Sequence, residues 1–471
     1  MTVERIDWKA EAEKRKDAFL EDLFTILRID SVRDDDQATE ENPFGPGPTE
    51  ALKAFLALGE RDGFETKNVD NYAGHIEYGD GDELMGVLGH VDVVPTGTGW
   101  ETDPFDPVIK DDRIYARGAS DDKGPSMAAY YALKMIKDLD LPVSKKVRFI
   151  LGTDEESTWK GIEHYLKTEQ QPDFGFSPDA NFPIINGEKG NATVIIETGG
   201  EAEGATHELV SFDSGLRANM VPQDAVAVVK SQNPAELENG FVDFLDGLPV
   251  TGELAVDGDQ VTVQIVGKAA HGSKPASGVN AGTYLALFLS DYAFAKDANT
   301  FLEIAALYLH DDPEGKKLNI DHVDEVMGEL TSNPGVLTFN ANEGGKLTVN
   351  MRYPQGTNNE EIFKHFEEKL SNYDVQLTNA GGKEPHYVPG TDPLVTTLLD
   401  VYHRQTGLEA HEQVIGGGTY GRLMERGVAY GAMFPDSIDT MHQANEFMAI
   451  DDLMRAMAIY AESIYELVRE K

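Results

Sequence analysis

The residues of this chain most able to do chemistry are two histidines and a set of strand-terminal acids: His90-Val91-Asp92, Asp121-Asp122, Glu155-Glu156, Asp179 and His442. In an HxD tripeptide on a strand both side chains point the same way, and a metal-bound imidazole usually donates its other ring N–H to a nearby carboxylate. Adjacent acids leaving a strand point in different directions, so one can bind a metal while the other takes a proton from a bound water. As ligands, His90, Asp121, Glu156, Asp179 and His442 offer two imidazoles and three carboxylates, a donor set that suits zinc, cobalt or manganese better than calcium or magnesium. If Asp121 bridges, each of two metals gains three protein ligands, and metals about 3.5–4 Å apart can clamp and acidify a shared water. The pattern predicts metal-assisted hydrolysis.

The elements that must position these groups alternate. Apolar spacing at Ala18, Phe19, Leu23, Ile26 and Leu27 predicts a helix within residues 6–30, and Ala54, Phe55 and Leu58 predict another from Thr49 to Gly63. Short apolar runs at 84–88 and 147–151, and a third approaching Ser177, read as buried strands. They run into His90, the Asp154-Glu155-Glu156 cluster and Asp179 respectively, with an amphipathic helix over 127–139 between the first two. Strands alternating with helices predict a mainly parallel sheet with helices on both faces, and ligands in such sheets lie beyond the carboxyl ends of the strands. From about Gly190 the texture becomes period two, at 192–197, 208–212, 225–229 and 261–266, mixed with helices at 281–292 and 360–370. After a loop at 381–390 the first pattern resumes, with a helix at 393–405, a strand at 428–434 and a closing helix from Asp451. The expected architecture is therefore an α/β domain, 1–187 and 385–471, interrupted by an α+β insert, 188–384.

Composition narrows the partners. Lys plus Arg number 40 and Asp plus Glu 83, a formal charge of −43, and such a field repels phosphate backbones and anionic lipid while favouring cations. Nucleic-acid and membrane partners are not expected. There is no cysteine, so thiolate metal sites, iron–sulfur clusters, disulfides and cysteine nucleophiles are excluded. Neither a signal-peptide apolar segment nor an uncharged apolar run near membrane-spanning length is present, and a cytoplasmic protein is expected. Gly416-Gly417-Gly418-Thr419-Tyr420-Gly421 matches the GxGxxG spacing of dinucleotide-binding folds, but lies too near the chain end for the two βαβ halves those folds need. No GxSxG elbow, Walker A loop or HExxH motif is present.

HVDVVP, ARGASDDKG, TDEES, SPDANFP, RANMVP, AAHGSKP, GGGTYGR and MHQANE, in this order, resemble the dinuclear-zinc peptidase superfamily of aminoacylases, carboxypeptidases G and dipeptidases, and its bacterial dipeptidases above all. The resemblance runs from the N-terminal helices to the C-terminus. It implies a catalytic domain interrupted by a lid domain, and two Zn2+ ions, with Mn2+ or Co2+ as substitutes. His90 and Asp179 would hold one ion, Glu156 and His442 the other, with Asp121 bridging and the Asp121–Asp122 peptide cis. Asp92 would orient His90, and Glu155 would be the general base. In the insert, His271 would stabilise the oxyanion while Asn219 and Arg352 hold the substrate; Gly416, Gly417 and Gly418 would let backbone approach it.

An aspartate at position 179, where deacylases and carboxypeptidases of the superfamily tend to carry glutamate, implies a dipeptidase acting on small unblocked peptides. An N-acyl-amino-acid deacylase or carboxypeptidase on the same fold is the alternative, and a non-catalytic metal-stabilised binding protein the remaining one. Members with a shorter insert commonly dimerise through it and borrow the oxyanion histidine from the partner. Here the long insert carries that histidine itself, which implies a monomer.

Overall fold

The structure, a computed structural model, describes residues 6–201 and 203–470. The chain divides into two compact units, one running to Gly187 and resuming at Tyr387, the other Glu188–His386.

The first unit is organised by a six-stranded sheet in the order Glu65–Val69, Ala73–Tyr78, Lys146–Gly152, Leu84–His90, Phe174–Ser177, Gly427–Ala429. The last four strands are mutually parallel, and the first two form an antiparallel hairpin against Lys146–Gly152. All seven residues of Leu84–His90 are buried, which explains a run without polar alternation: a central strand covered on both faces has no wet side. Val87, Phe149 and Leu151 pack with the helices Trp8–Leu27, Lys123–Asp138 and Ile450–Val468, while Leu88 and Ile150 turn to Ile162 and Tyr165 of Lys160–Thr168. Helices thus cover both faces, as the alternation predicts.

Each helix carries local signals. Asp7 caps Trp8–Leu27 by accepting from the Ala10 N–H. The second helix spans Pro46–Arg61, starting before Thr49 because Pro46 needs no N–H partner in a first turn. Other expectations are corrected. Residues 428–434 form two strands, Gly427–Ala429 and Ala432–Met433, broken at Gly431 with φ +73°. The stretch 381–390 is not simply a loop, since the exposed edge strand Val375–Lys383 and the short strand His386–Tyr387 enter it.

The second unit is an antiparallel eight-stranded sheet in the order Thr251–Asp257, Gln260–Val266, Asp224–Ser231, His207–Ser214, Thr331–Asn340, Gly344–Tyr353, Gly190–Thr198, Val375–Lys383. Alternating burial along Gly190–Thr198 and Asp224–Ser231 marks one face packed against helices that include Ala281–Ser290, Lys296–Ile304 and Asn359–Leu370. Among the described residues, no helix is long and apolar enough to cross a membrane.

One buried group ties the first unit's stability to pH. His75 is enclosed beside Tyr165, whose hydroxyl lies 2.7 Å from Nδ1. Burial, reinforced by Arg148, lowers its pKa from 6.5 to about 4. Between those values the unfolded chain binds a proton that the folded chain does not, so stability falls as pH drops through that window and loses nothing further from this group below it. The full effect is about 3 kcal/mol, at roughly 1.4 kcal/mol per pKa unit. Urea denaturation at pH 7, 5.5 and 4.5 is expected to give a shallower pH slope for His75→Gln than for the wild type. Parallel slopes would contradict this assignment.

Candidate functional site

Three of the four parallel strands of the first unit end side by side, and each of these ends delivers chemistry. Leu84–His90 ends on His90, Lys146–Gly152 leads into Thr153–Glu156, and Phe174–Ser177 leads to Asp179. Asp121 arrives from the turn before the Lys123–Asp138 helix, and His442 from the loop before the closing helix.

These groups converge as two triads, His90–Asp121–Asp179 and Asp121–Glu156–His442, each with one ligand-type atom per residue and all such atoms within 4.8 Å of one another. His90 Nε2 lies 3.1 Å from Asp121 Oδ1 and 3.7 Å from Asp179 Oδ2. On the other side, His442 Nε2 lies 3.0 Å from both Asp121 Oδ2 and Glu156 Oε1. Asp121 therefore presents one oxygen to each imidazole, the arrangement a bridging carboxylate requires. The Asp121–Asp122 peptide is cis.

The electrostatics are those of buried carboxylates crowded against two imidazoles. Burial pushes Asp121 up, but His442 and His90 outweigh it and hold the carboxyl below its ordinary range. Burial and then Asp121 raise Glu156 to about 7, and burial followed by Asp121 also raises Asp179. Hydrogen bonds to Asp121 and Glu156 raise His442 to about 10. Burial works against a charged His90, yet Asp121, Asp179 and Asp92 hold its pKa well above 6.5. In both triads protons stand where divalent cations would satisfy the same oxygens and nitrogens, and metal binding would release them. The mixed imidazole and carboxylate donors fit zinc, manganese or cobalt.

Glu155 belongs to neither triad, but it stands among them. Burial raises its pKa well above 4.5; nearby His90 works against this, and Asp179, Glu156 and Asp121 add to it. Asp92 differs in detail from the expected role. The nearest partner of His90 Nδ1 is the main-chain oxygen of Asp92, 3.0 Å away, with the carboxylate at 3.5 Å. That carboxylate accepts from the N–H groups of Glu155 and Glu156, both at 3.1 Å. Asp92 thus fixes the His90 tautomer through its backbone and aims the acid pair through its side chain.

The turn bearing Asp121 explains the glycines of ARGASDDKG. Gly118 is left-handed at φ +86°, and a Cβ on Gly124 would fall 2.0 Å from the Ala119 oxygen. Gly416, Gly417 and Gly418 follow the short strand Val414–Ile415, and a Cβ on Gly417 would meet nothing closer than Ile415 Cδ1 at 3.7 Å. Packing among the described residues does not demand glycine at that position.

Three residues escape the sequence reading. Glu446 is fully buried, and its carboxylate gathers the N–H groups of Gly118, Ser120 and Asp121 together with Arg117. Tyr420 packs edge-on to His90, with ring centroids 6.3 Å apart, and its buried hydroxyl has no hydrogen-bond partner among the described residues. Glu446, Arg117 and Tyr420 all stand inside motifs quoted for their neighbours, but nothing in a linear motif tells a ligand from its support.

The remaining expected residues lie in the second unit. Asn219 and His271 sit on paired segments, the Gly272 N–H donating to the Asn219 oxygen at 2.7 Å and Met220 bridging His271. His271 Nδ1 accepts from the Ser273 N–H at 3.2 Å and lies 2.7 Å from the Ser273 hydroxyl. Burial, then the charges of Arg352 and Lys274, lower its pKa below 6.5. His271 is thus a neutral imidazole whose Nε2–H is a donor, and Arg352 is its electrostatic neighbour.

Comparison with known proteins agrees with this geometry. Residues 86–466 match the model of peptidase family M20/M25/M40. A Beta-Ala-Xaa dipeptidase from Lactobacillus delbrueckii subsp. lactis is 45% identical over 467 residues, covering 99% of each chain. Human carnosine dipeptidase 1 shares the fold at 15% identity, with a TM-score of 0.58 over 98% of each chain. The aminoacylhistidine dipeptidase of Vibrio alginolyticus does so at 14% identity, with a TM-score of 0.58 over 96% of this chain and 97% of that one. With more than half of its length matched by the family model and a close relative aligned end to end, the chain belongs to peptidase family M20/M25/M40.

Proposed function

We infer that the protein is a dinuclear-metal dipeptidase, with zinc as the metal and manganese or cobalt as substitutes, working as a monomer in the cytoplasm on unblocked dipeptides. The observation that carries this is the pair of donor triads sharing Asp121, with the Glu155 carboxyl standing beside both and belonging to neither. Two divalent cations, when bound, supply Lewis acidity that polarises a carbonyl and eases deprotonation of a water. His90 and Asp179 are the ligands of one, Glu156 and His442 of the other, and Asp121 bridges.

In this reading Glu155 takes the proton from the attacking water and passes it to the departing amine as the C–N bond breaks, so the carboxylate is restored each cycle. Asp92 keeps Glu155 and Glu156 apart in role by holding both backbone N–H groups. The Nε2–H of His271 is the oxyanion donor. Arg352 pairs with the substrate α-carboxylate, a bidentate geometry that lysine cannot reproduce, and Asn219 with the glycines at 416–418 completes the binding of the peptide.

Recognition of both the free ammonium and the free carboxylate works as a ruler. Unblocked L,L-dipeptides should be cleaved, N-acetylation should abolish cleavage, and Arg352→Lys should raise KM or lower kcat for dipeptides. A panel of dipeptides, β-alanyl dipeptides, tripeptides and N-acetyl amino acids, each assayed after chelation and reloading with one metal, tests this. N-acetyl amino acids hydrolysed at rates matching dipeptides would make the protein a deacylase, and no metal-dependent cleavage of any of them would make it a binding protein.

A further inference from the structure

We propose that Glu446, held by Arg117, is a positioning residue that sets the placement of His442 against Asp121 and so governs metal affinity at the Asp121–Glu156–His442 triad in particular; this rests on the two-metal reading above. The carboxylate accepts four donors. Oε1 takes the N–H groups of Ser120 at 2.8 Å and Asp121 at 3.1 Å, while Oε2 takes Gly118 N–H at 3.1 Å and Arg117 Nη1 at 2.7 Å. One of these donors is the backbone N–H of the bridging aspartate itself, and the acceptor stands four residues beyond His442. The Ala116 N–H donates to the main-chain oxygen of Glu446 at 3.1 Å, extending the same seam.

Arg117 widens the bracket to a third segment. Its guanidinium, also buried, reaches the carbonyls of Gln443 at 3.3 Å, Pro95 at 3.2 Å and Thr96 at 3.4 Å, and lies 5.3 Å from the Trp100 ring centroid. The turn of Asp121, the loop of His442 and the segment following Asp92 therefore meet on one ion pair. A buried pair of this kind contributes little net stability compared with apolar residues of similar volume, so its placement calls for another reason.

The two triads depend on it unequally. His90 stands on a strand end and Asp179 two residues beyond one, held by sheet hydrogen bonds and core packing. His442 stands on no strand: its backbone is left-handed at φ +62°, its side chain is 54% exposed, and its loop is held by Asn445, whose Oδ1 accepts the Glu101 N–H at 2.8 Å, by Thr440, whose hydroxyl accepts the Phe447 N–H at 3.0 Å, and by the packing of Met441. A left-handed non-glycine residue keeps its conformation only where its surroundings enforce it. Without the Glu446 carboxylate the His90 side of the centre keeps its frame, while the His442 side loses its direct hydrogen bond to the Asp121 backbone and keeps only the neighbouring ties at Ala116 and Gln443.

The test is titration of metal-free protein with Co2+, followed by calorimetry and by visible absorption. Glu446→Gln preserves shape but turns an amide NH2 toward donors that need an acceptor, and it should weaken the second Co2+ equivalent about 10–100-fold, the range for loss of an outer-shell partner. The first equivalent should change much less, and the absorption bands of the second should shift. Arg117→Lys, which retains the charge but not the planar fork, should move the second equivalent the same way. Cooperative thermal unfolding establishes that each variant is folded; if Glu446→Gln is not, Arg117→Lys and Glu446→Asp decide the matter. Two equivalents bound with wild-type affinities, or both weakened alike in a folded variant, would overturn the proposal. Fewer than two equivalents in the wild type would instead sink the two-metal reading and this proposal with it.

Discussion

Glu155→Ala is expected to keep both metal ions and lose turnover by about 10²–10⁴, the usual worth of a general base, whereas Glu156→Ala is expected to lose metal as well as activity. The two residues are neighbours in sequence, share burial and negative surroundings, and hang from the same Asp92 carboxylate. They differ in one contact: Glu156 Oε1 is 3.0 Å from His442 Nε2 and completes a triad, while Glu155 completes none. Metal analysis of the two purified variants beside dipeptide hydrolysis separates the roles. Equal depletion of metal in both would refute the division.

His271→Ala should lower kcat by about 10²–10³, the cost of removing one donor from a developing oxyanion, with metal content unchanged. The hydrogen bond from Ser273 N–H to Nδ1 leaves Nε2–H as the donor, and burial, followed by the charges of Arg352 and Lys274, lowers the ring's pKa and favours its neutral form. His271→Gln, which retains an N–H, should recover part of the loss. Because this histidine and the metal ligands are expected to serve the same chain, mixing His271→Ala protein with Glu155→Ala protein should restore nothing. Light scattering showing a stable dimer, together with activity regained on mixing, would contradict the monomeric reading.

Much of the first unit is legible in the sequence because its signals are local. Seven consecutive buried positions ending on His90, and a helix whose apolar residues recur every three or four places, are consequences of burial written directly into residue type. The hairpin Glu65–Tyr78 is harder to read, since Glu65–Val69 is an exposed edge whose stabilisation is backbone pairing. Thr331–Asn340 and Gly344–Tyr353 lie in the middle of their sheet, yet Ser332-Asn333-Pro334-Gly335 looks like a turn. The structure accommodates it as a register shift between Pro334 and Val336. Tertiary pairing overrides the local preference there.

The sequence by itself supplied the candidate donors and their order along the chain: His90, Asp121, Glu156, Asp179 and His442 are metal-type residues, and the strand ends before His90, Glu156 and Asp179 are visible in the pattern. Tertiary structure alone decided how that set is divided and held. That one oxygen of Asp121 faces each imidazole, that Asp92 offers its backbone to His90 and its carboxylate to the acid pair, and that Glu446 locks the Asp121 turn from 325 residues away are facts of distance. Hydrogen-bond geometry between segments far apart in the chain leaves no periodicity for a sequence to display, because its partners share a point in space and no position in a pattern.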